Sequence, residues 1–312
     1  MILALAGGVG GAKLADGLAN ALGAEELSIA VNTGDDFEHL GLHVSPDLDT
    51  VMYTLAGLAN PATGWGQSGE TWSFMDALDR LGGPTWFKLG DRDLATHVER
   101  TRRLAAGESL SSVTRLLCER LGLRLTLLPM TDAPVRTRVR TDAGWLDFQH
   151  YFVREQCRPA LREVRYDGAE AARPSAGLAD ALASPNLQGI VICPSNPYLS
   201  VSPILALPGV REALRACGNI VAVSPIVGGQ AIKGPAAKIM KELGAEVSAL
   251  GIARWYAGLV TTLVIDRTDE TLAPAIEGLG LRVAVSETVM HDAAHRIRLA
   301  RECVALVRAG KR

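Results

Sequence analysis

The sequence predicts an α/β fold: a Rossmann-like open, mostly parallel sheet carrying a helical and β-hairpin insertion. Three observations predict it. The chain opens with an apolar run, a glycine-rich turn, a helical pattern and a second apolar run, which together make a βαβ unit. Strand-like runs alternate with helical patterns again beyond about residue 174. The opening apolar run is continuous rather than alternating, as in a parallel strand buried on both faces.

Each element has a local cause. Residues 2–6 read as the first strand and Gly7-Gly8-Val9-Gly10-Gly11 as the turn after it. A helix over residues 12–22 puts Leu14, Leu18 and Leu22 on one face, and Gly23 would end it. Residues 27–31 are the next strand, and the crossover between the two should be right-handed. The middle is mostly helical, with helices over 49–59, 71–81, 93–106 and 109–121 and a Gly-rich loop over 61–70. Ser109 is the expected N-cap of the last of these. Residues 123–128 read as a strand, and 135–141 with 145–152 as a hairpin around Asp142-Ala143-Gly144. Strands follow at 188–193, 219–224, 262–266 and 281–285, and helices at 235–243, 248–259 and 292–309. The nucleotide-binding core is thus expected to comprise 1–60 and 174–312, with 61–173 inserted between its halves.

Composition narrows the function. The 312 residues are 48% apolar and 21% charged, a normal soluble balance. With 32 Lys+Arg against 34 Asp+Glu, the chain lacks the basic surplus that nucleic-acid binding needs. No apolar run approaches the roughly 20 residues that span a bilayer, and no basic region precedes residues 2–6 as in a signal peptide. The five cysteines are widely spaced with no Cys-x-x-Cys, which points to a reducing, cytoplasmic setting.

The glycine turn is the strongest site feature. Glycines let a backbone approach a ligand closely, and a helix N-terminus offers free N–H groups to an anion, so a phosphate or diphosphate is the natural guest. Gly8, Gly10 and Gly11 are the expected contacts. The pattern is neither the dinucleotide fingerprint, whose third glycine position holds Lys13, nor a P-loop. The second strand ends in Asn32-Thr33-Gly34-Asp35-Asp36, and Ser45-Pro46-Asp47-Leu48-Asp49-Thr50 follows. Four carboxylates on loops at the carboxyl end of a sheet suit Mg²⁺, a hard ion that bridges phosphate oxygens; Asp35, Asp36 and Asp49 are the expected ligands. Locally, Asp47 or Asp49 could simply cap the helix that starts there.

Three further clusters stand at element ends. In Trp86-Phe87-Lys88-Leu89-Gly90-Asp91-Arg92-Asp93 the aromatics could stack on a planar ring and Lys88 could pair with a phosphate or polarise a ring oxygen, while Asp91 or Asp93 could cap a helix. Cys193-Pro194-Ser195-Asn196-Pro197 offers neutral hydrogen bonds on a rigid loop. Lys233-Gly234-Pro235 repeats the pairing of glycine, lysine and helix start, a second anion site. His39 with His43 and His291 with His295 are spaced i,i+4 but lack His-Glu-x-x-His.

Taken in order, Gly7–Gly11, Asn32–Asp36, Ser45–Thr50, Leu89–Asp93, Pro194–Pro197 and Lys233–Pro235 resemble the 2-phospho-L-lactate transferase family (CofD, or FbiA). The resemblance runs from the first strand to about Asp269. It implies transfer of a phospho-three-carbon-acid group from a guanosine diphosphate donor to 7,8-didemethyl-8-hydroxy-5-deazariboflavin, with release of GMP and a need for Mg²⁺. It puts Asp49 and Lys88 on the deazaflavin, within an acceptor site that the insertion helps to form. Gly8, Gly10, Gly11, Ser195 and Asn196 fall on the guanine-nucleotide side, where Lys13 and Lys233 would offset charge on the departing GMP. Asp49 and Asp36 are the expected catalytic carboxylates, Asp49 orienting or deprotonating the attacking hydroxyl. A homodimer is expected for an enzyme of this size. Two other readings compete: a non-catalytic nucleotide-sugar-binding regulator on the same fold, and a NAD-dependent oxidoreductase, which the missing third glycine disfavours.

Overall fold

A computed structural model describes residues 1–310. Seven strands form the central sheet: β1 (Ile2–Ala6), β2 (Leu27–Val31), β3 (Thr126–Pro129), β4 (Gly189–Ile192), β5 (Ile220–Val223), β6 (Thr262–Asp266) and β7 (Arg282–Ser286). Their spatial order is β7-β6-β5-β4-β1-β2-β3, and every neighbouring pair is parallel. The order reverses between β1 and β4. Such a switch point leaves a crevice beyond the carboxyl ends of the strands, where ligands of open α/β sheets bind.

The apolar runs become strands because both sheet faces are covered. Leu3 and Leu5 of β1 join Ile190 and Ile192 of β4 in one buried cluster. Ile2, Ala4 and Ala6 join Val191 in another on the opposite face. Alternation thus distributes a continuous apolar run between two cores.

Strand β3 departs from the expected layout. It lies within 61–173, yet it pairs with β2 from Ser28↔Thr126 to Val31↔Pro129 and closes one edge of the sheet. The core therefore runs through the segment expected as an insertion. The reason is packing: Leu127 and Leu128 are buried, one in each face's cluster.

Five α-helices lie between β1 and β3: α1 (Gly8–Ala21), α2 (Pro46–Leu55), α3 (Ser73–Arg80), α4 (Asp91–Ala105) and α5 (Leu110–Arg120). Helix α1 starts four residues earlier than periodicity predicts, so the glycines form its first turn. Helix α2 also starts early, with Pro46 in its first turn, where a missing N–H costs nothing. Ser109 caps α5 as expected, accepting from the Ser112 N–H at 3.2 Å. Outside the sheet, the expected hairpin is present as Arg136–Thr141 and Gly144–Asp147, joined by an unforeseen third strand, Leu161–Asp167. Residues 150–154, expected as strand over their first part, instead coil into a π-helical turn. A short hairpin, Phe37–His39 with Leu42–Val44, was also unforeseen.

Candidate active site

A cavity of about 690 Å³ opens at the switch point. One side of it is the glycine turn. The Gly8 N–H donates to Asp47 Oδ1 at 2.8 Å, while α1 has no side-chain cap. The free amides of the first turn, those after Gly8, are what an anion would meet. Gly10 must be glycine because an added Cβ would collide with the Pro194 carbonyl oxygen after β4. At Gly11 it would come within 2.7 Å of Ser195 Oγ, which itself donates to the Gly7 carbonyl at 2.9 Å. The ends of β1 and β4 are thereby locked together. Asn196 stands beside them, its side-chain oxygen accepting the Tyr198 and Leu199 N–H groups at 3.0 and 3.3 Å.

Cations gather at this end. Lys13 lines the cavity and donates to the Met290 carbonyl at 2.8 Å. Burial lowers its pKa, and the charges of Arg296 and Lys233 lower it further. Lys233 reaches across the cavity mouth to the Thr63 carbonyl at 3.3 Å. An anion placed here would relieve this crowding of positive charge.

The carboxylates divide into three kinds. Asp35 and Asp47 line the cavity near the glycine turn. Burial pushes Asp35 well above the usual carboxylate range, with the Asp47 charge adding to it, and Asp35 Oδ1 is buried without a hydrogen-bond partner. Asp47 Oδ2 accepts from Asn32 Nδ2 at 2.9 Å, and burial lifts Asp47 to about 6. Asp36, expected to share a metal with Asp35 and Asp49 and the chemistry with Asp49, does not line the cavity. Its Oδ2 is engaged by the Ser45 hydroxyl at 2.8 Å and His43 Nε2 at 3.1 Å. Neighbouring residues on a turn point different ways, so adjacency in sequence did not make Asp35 and Asp36 a pair in space.

Asp49 belongs to a third group, the seam between α2 and α4. Both its oxygens are held by the buried Arg100 guanidinium, Nη1 to Oδ2 at 3.0 Å and Nη2 to Oδ1. His97 Nδ1 lies 3.6 Å from Asp49 Oδ2, and His97 Nε2 lies 3.4 Å from Asp93 Oδ1. The Tyr53 hydroxyl donates to the same Asp93 oxygen at 2.8 Å. Burial raises the Asp49 pKa, and Arg100 and then His97 pull it back. Asp49, Asp93 and His97 each offer a ligand atom within 4.8 Å of the others, and all three line the cavity.

Asp93, His97 and Arg100 were missed as site residues. A signal existed: their i, i+4, i+7 spacing puts them on one face of a helix, as Asp49 and Tyr53 share a face of α2. Nothing local says that these two polar faces meet. On the remaining wall, Phe87 and Lys88 line the cavity together with Phe148, Gln149 and Phe152. Trp86 is turned aside between His39 and His150, with ring centroids at 5.1 and 4.7 Å.

Comparison with known proteins bears on the family and the fold. The family described as 2-phospho-L-lactate transferase CofD matches residues 2–307. A phosphoenolpyruvate transferase from Kitasatospora aureofaciens is 42% identical, covering 98% of this chain and 97% of that one. A 2-phospho-L-lactate transferase from Methanospirillum hungatei is 37% identical over 95% of this chain and 100% of its own. Among solved structures, a UPF0052-family protein from Bacillus halodurans superposes with a TM-score of 0.61 over 97% of this chain and 98% of that chain, at 14% identity, which is a likeness of fold. No helix among the described residues is long and apolar enough to cross a membrane. Family match, sequence relatives and sheet topology lead to one conclusion: the chain belongs to the CofD family of 2-phospho-L-lactate transferases, enzymes on an α/β fold.

Proposed function

We propose that the protein transfers a phospho-three-carbon-acid group from a guanosine diphosphate donor to 7,8-didemethyl-8-hydroxy-5-deazariboflavin, releasing GMP. The observation that carries this reading is the shared cavity. One opening of about 690 Å³ joins an anion-binding glycine turn to a carboxylate cluster and an aromatic wall. That volume suits small-molecule ligands, and the two ends differ in chemistry as donor and acceptor do. Relatives at 39–42% identity bear the name phosphoenolpyruvate transferase, which favours an enolpyruvate-type group over phospholactate.

In this reading the donor's guanylate phosphate rests on the first turn of α1, with Lys13 and Lys233 offsetting its charge. Ser195 and Asn196 keep the β4 loop against that turn. The deazaflavin lies against Phe87 and Phe148, with Lys88 beside its ring. Its ribityl hydroxyl attacks the phosphorus that bears the three-carbon acid. The bridging P–O bond breaks and GMP leaves. Asp49, clamped by Arg100, orients the hydroxyl and accepts its proton. Positioning and charge neutralisation do most of the work in such transfers.

Magnesium fits the residues present. Asp49 and Asp93 supply hard oxygens, and Asp35 Oδ1 on the same cavity is buried with no hydrogen-bond partner. Held by Asp49 and Asp93, with Asp35 on the same cavity, the ion would neutralise diphosphate charge. Asp36 falls outside this set, because it does not line the cavity. A cytoplasmic homodimer remains our expectation.

The test is direct. Purified protein is incubated with deazaflavin, donor and Mg²⁺, and products are read by mass spectrometry. The proposal expects GMP and a phospho-acid-linked deazaflavin in equal amounts, abolished by EDTA. Binding of the donor with neither product would support the non-catalytic regulator instead.

A further inference from the structure

Three large apolar side chains stand exposed around the mouth of the cavity: Trp65 at 47%, Ile232 at 53% and Phe152 at 39%. They come from three segments far apart in sequence: the loop after α2, the loop before the helix Ala236–Glu242, and the π-helical turn His150–Arg154. Soluble proteins scatter single apolar residues over their surfaces, but a convergent rim on one opening asks for a reason.

The loops carrying Trp65 and Ile232 already meet. Lys233 Nζ donates to the Thr63 carbonyl at 3.3 Å, tying one loop to the other across the glycine turn. Gly64, at φ +79°, packs so tightly that an added Cβ would lie 2.8 Å from Val9 Cγ1 and 3.2 Å from Lys233 Nζ. Phe152 is held from behind by stacking on Phe148, with ring centroids 5.4 Å apart and planes within 10°. The loops bearing Trp65 and Ile232 are therefore tied in place beside the glycine turn, while Phe152 stands on the aromatic wall. All three side chains line the cavity and remain partly exposed.

We propose that Trp65, Ile232 and Phe152 are specificity-determining residues that favour the acceptor's hydroxyl over water. The inference rests on the transferase reading. In the productive step the acceptor oxygen bonds to phosphorus, the bridging P–O bond breaks, GMP keeps the bridging oxygen, and the hydroxyl proton goes to Asp49. Water could attack the same phosphorus, giving free phospho-acid and GMP. Water is the smaller nucleophile and is far more concentrated, so the site must exclude it physically. An apolar rim fixed around bound ligand does this without adding a polar group that would itself hold water.

The experiment measures GMP released per transferred product in the wild type, W65A, I232S, the double variant and W65F. Both side chains are exposed, so truncation leaves folding intact. Wild type and W65F should give one GMP per product. W65A and I232S should give a ratio that rises several-fold, and the double variant a larger one, with ¹⁸O from labelled water appearing in the free phospho-acid. A ratio that stays at one in all variants, while the wild type transfers normally, overturns the proposal alone. A wild type that binds donor but releases no GMP overturns the transferase reading and this inference with it.

Discussion

Asp49 combines two demands that a neutral side chain cannot meet: it must face the cavity, and it must answer a buried guanidinium. Asp49→Asn should lower turnover by a factor of about 100 or more, the usual scale for a proton-transfer residue, and should alter the Mg²⁺ dependence. Steady-state assays with magnesium titration check this; near-wild-type turnover with the same Mg²⁺ dependence would remove Asp49 from the mechanism. Arg100→Met leaves a buried carboxylate unpaired, so denaturant unfolding should show a loss of about 3–5 kcal/mol, partly recovered when Asp49→Asn is added. Asp47 makes a separate prediction. Burial holds it near 6 against an ordinary 3.8, so the native state keeps a proton that the unfolded chain releases. Its contribution to stability is full below about pH 4, falls as the pH rises to about 6, and is gone above, an effect of at most about 3 kcal/mol. Asp47→Asn should flatten that decline in metal-free protein, and parallel wild-type and variant profiles would contradict it. Asp49 and Lys88, which line the cavity, stand in local motifs that a sequence displays. Trp65 does not, since a glycine-rich loop has no periodicity against which one tryptophan stands out.

Elements place these residues by close approach. The first turn of α1 meets the β4 loop only because Gly10 has no side chain to strike the Pro194 carbonyl. Gly10→Ala should cost about 1–3 kcal/mol of stability, since a backbone oxygen cannot move aside as a side chain can, and should weaken nucleotide binding as well. Thermal unfolding with and without guanine nucleotide separates the two effects. A variant with wild-type stability would contradict the packing argument. At this scale the strands of the central sheet were legible because continuous apolar runs have few other homes. Where β3 would sit was not. The four-residue strand Thr126–Pro129 carries no mark of its partner, and only the sheet edge offered by β2 recruits it. The early start of α1 was hidden for a related reason: glycine has low helix propensity, and tertiary contacts with the β4 loop override it. The α2–α4 seam shows the same limit. Each helix displays its polar face in sequence, but the pairing of Asp49 with Arg100 is a property of the fold.

The whole molecule brings together two chemistries at one switch point. The parallel sheet supplies strand ends on both sides of the β1–β4 crevice, and the segments between β2 and β3 wall off one flank with carboxylates and aromatics. This architecture gives the family its fold, and the chain's own residues give the cavity a cationic end and an acidic one. In the proposed reaction the cationic end takes a guanine nucleotide. Calorimetric titration of the purified protein with GDP, in the presence and absence of Mg²⁺, tests it most directly. Saturable binding is expected at one site per chain, tighter with Mg²⁺ and about tenfold or more weaker in Lys233→Met, the loss expected of one charge-assisted phosphate contact; no heat of binding under either condition would rule out a guanylate site here.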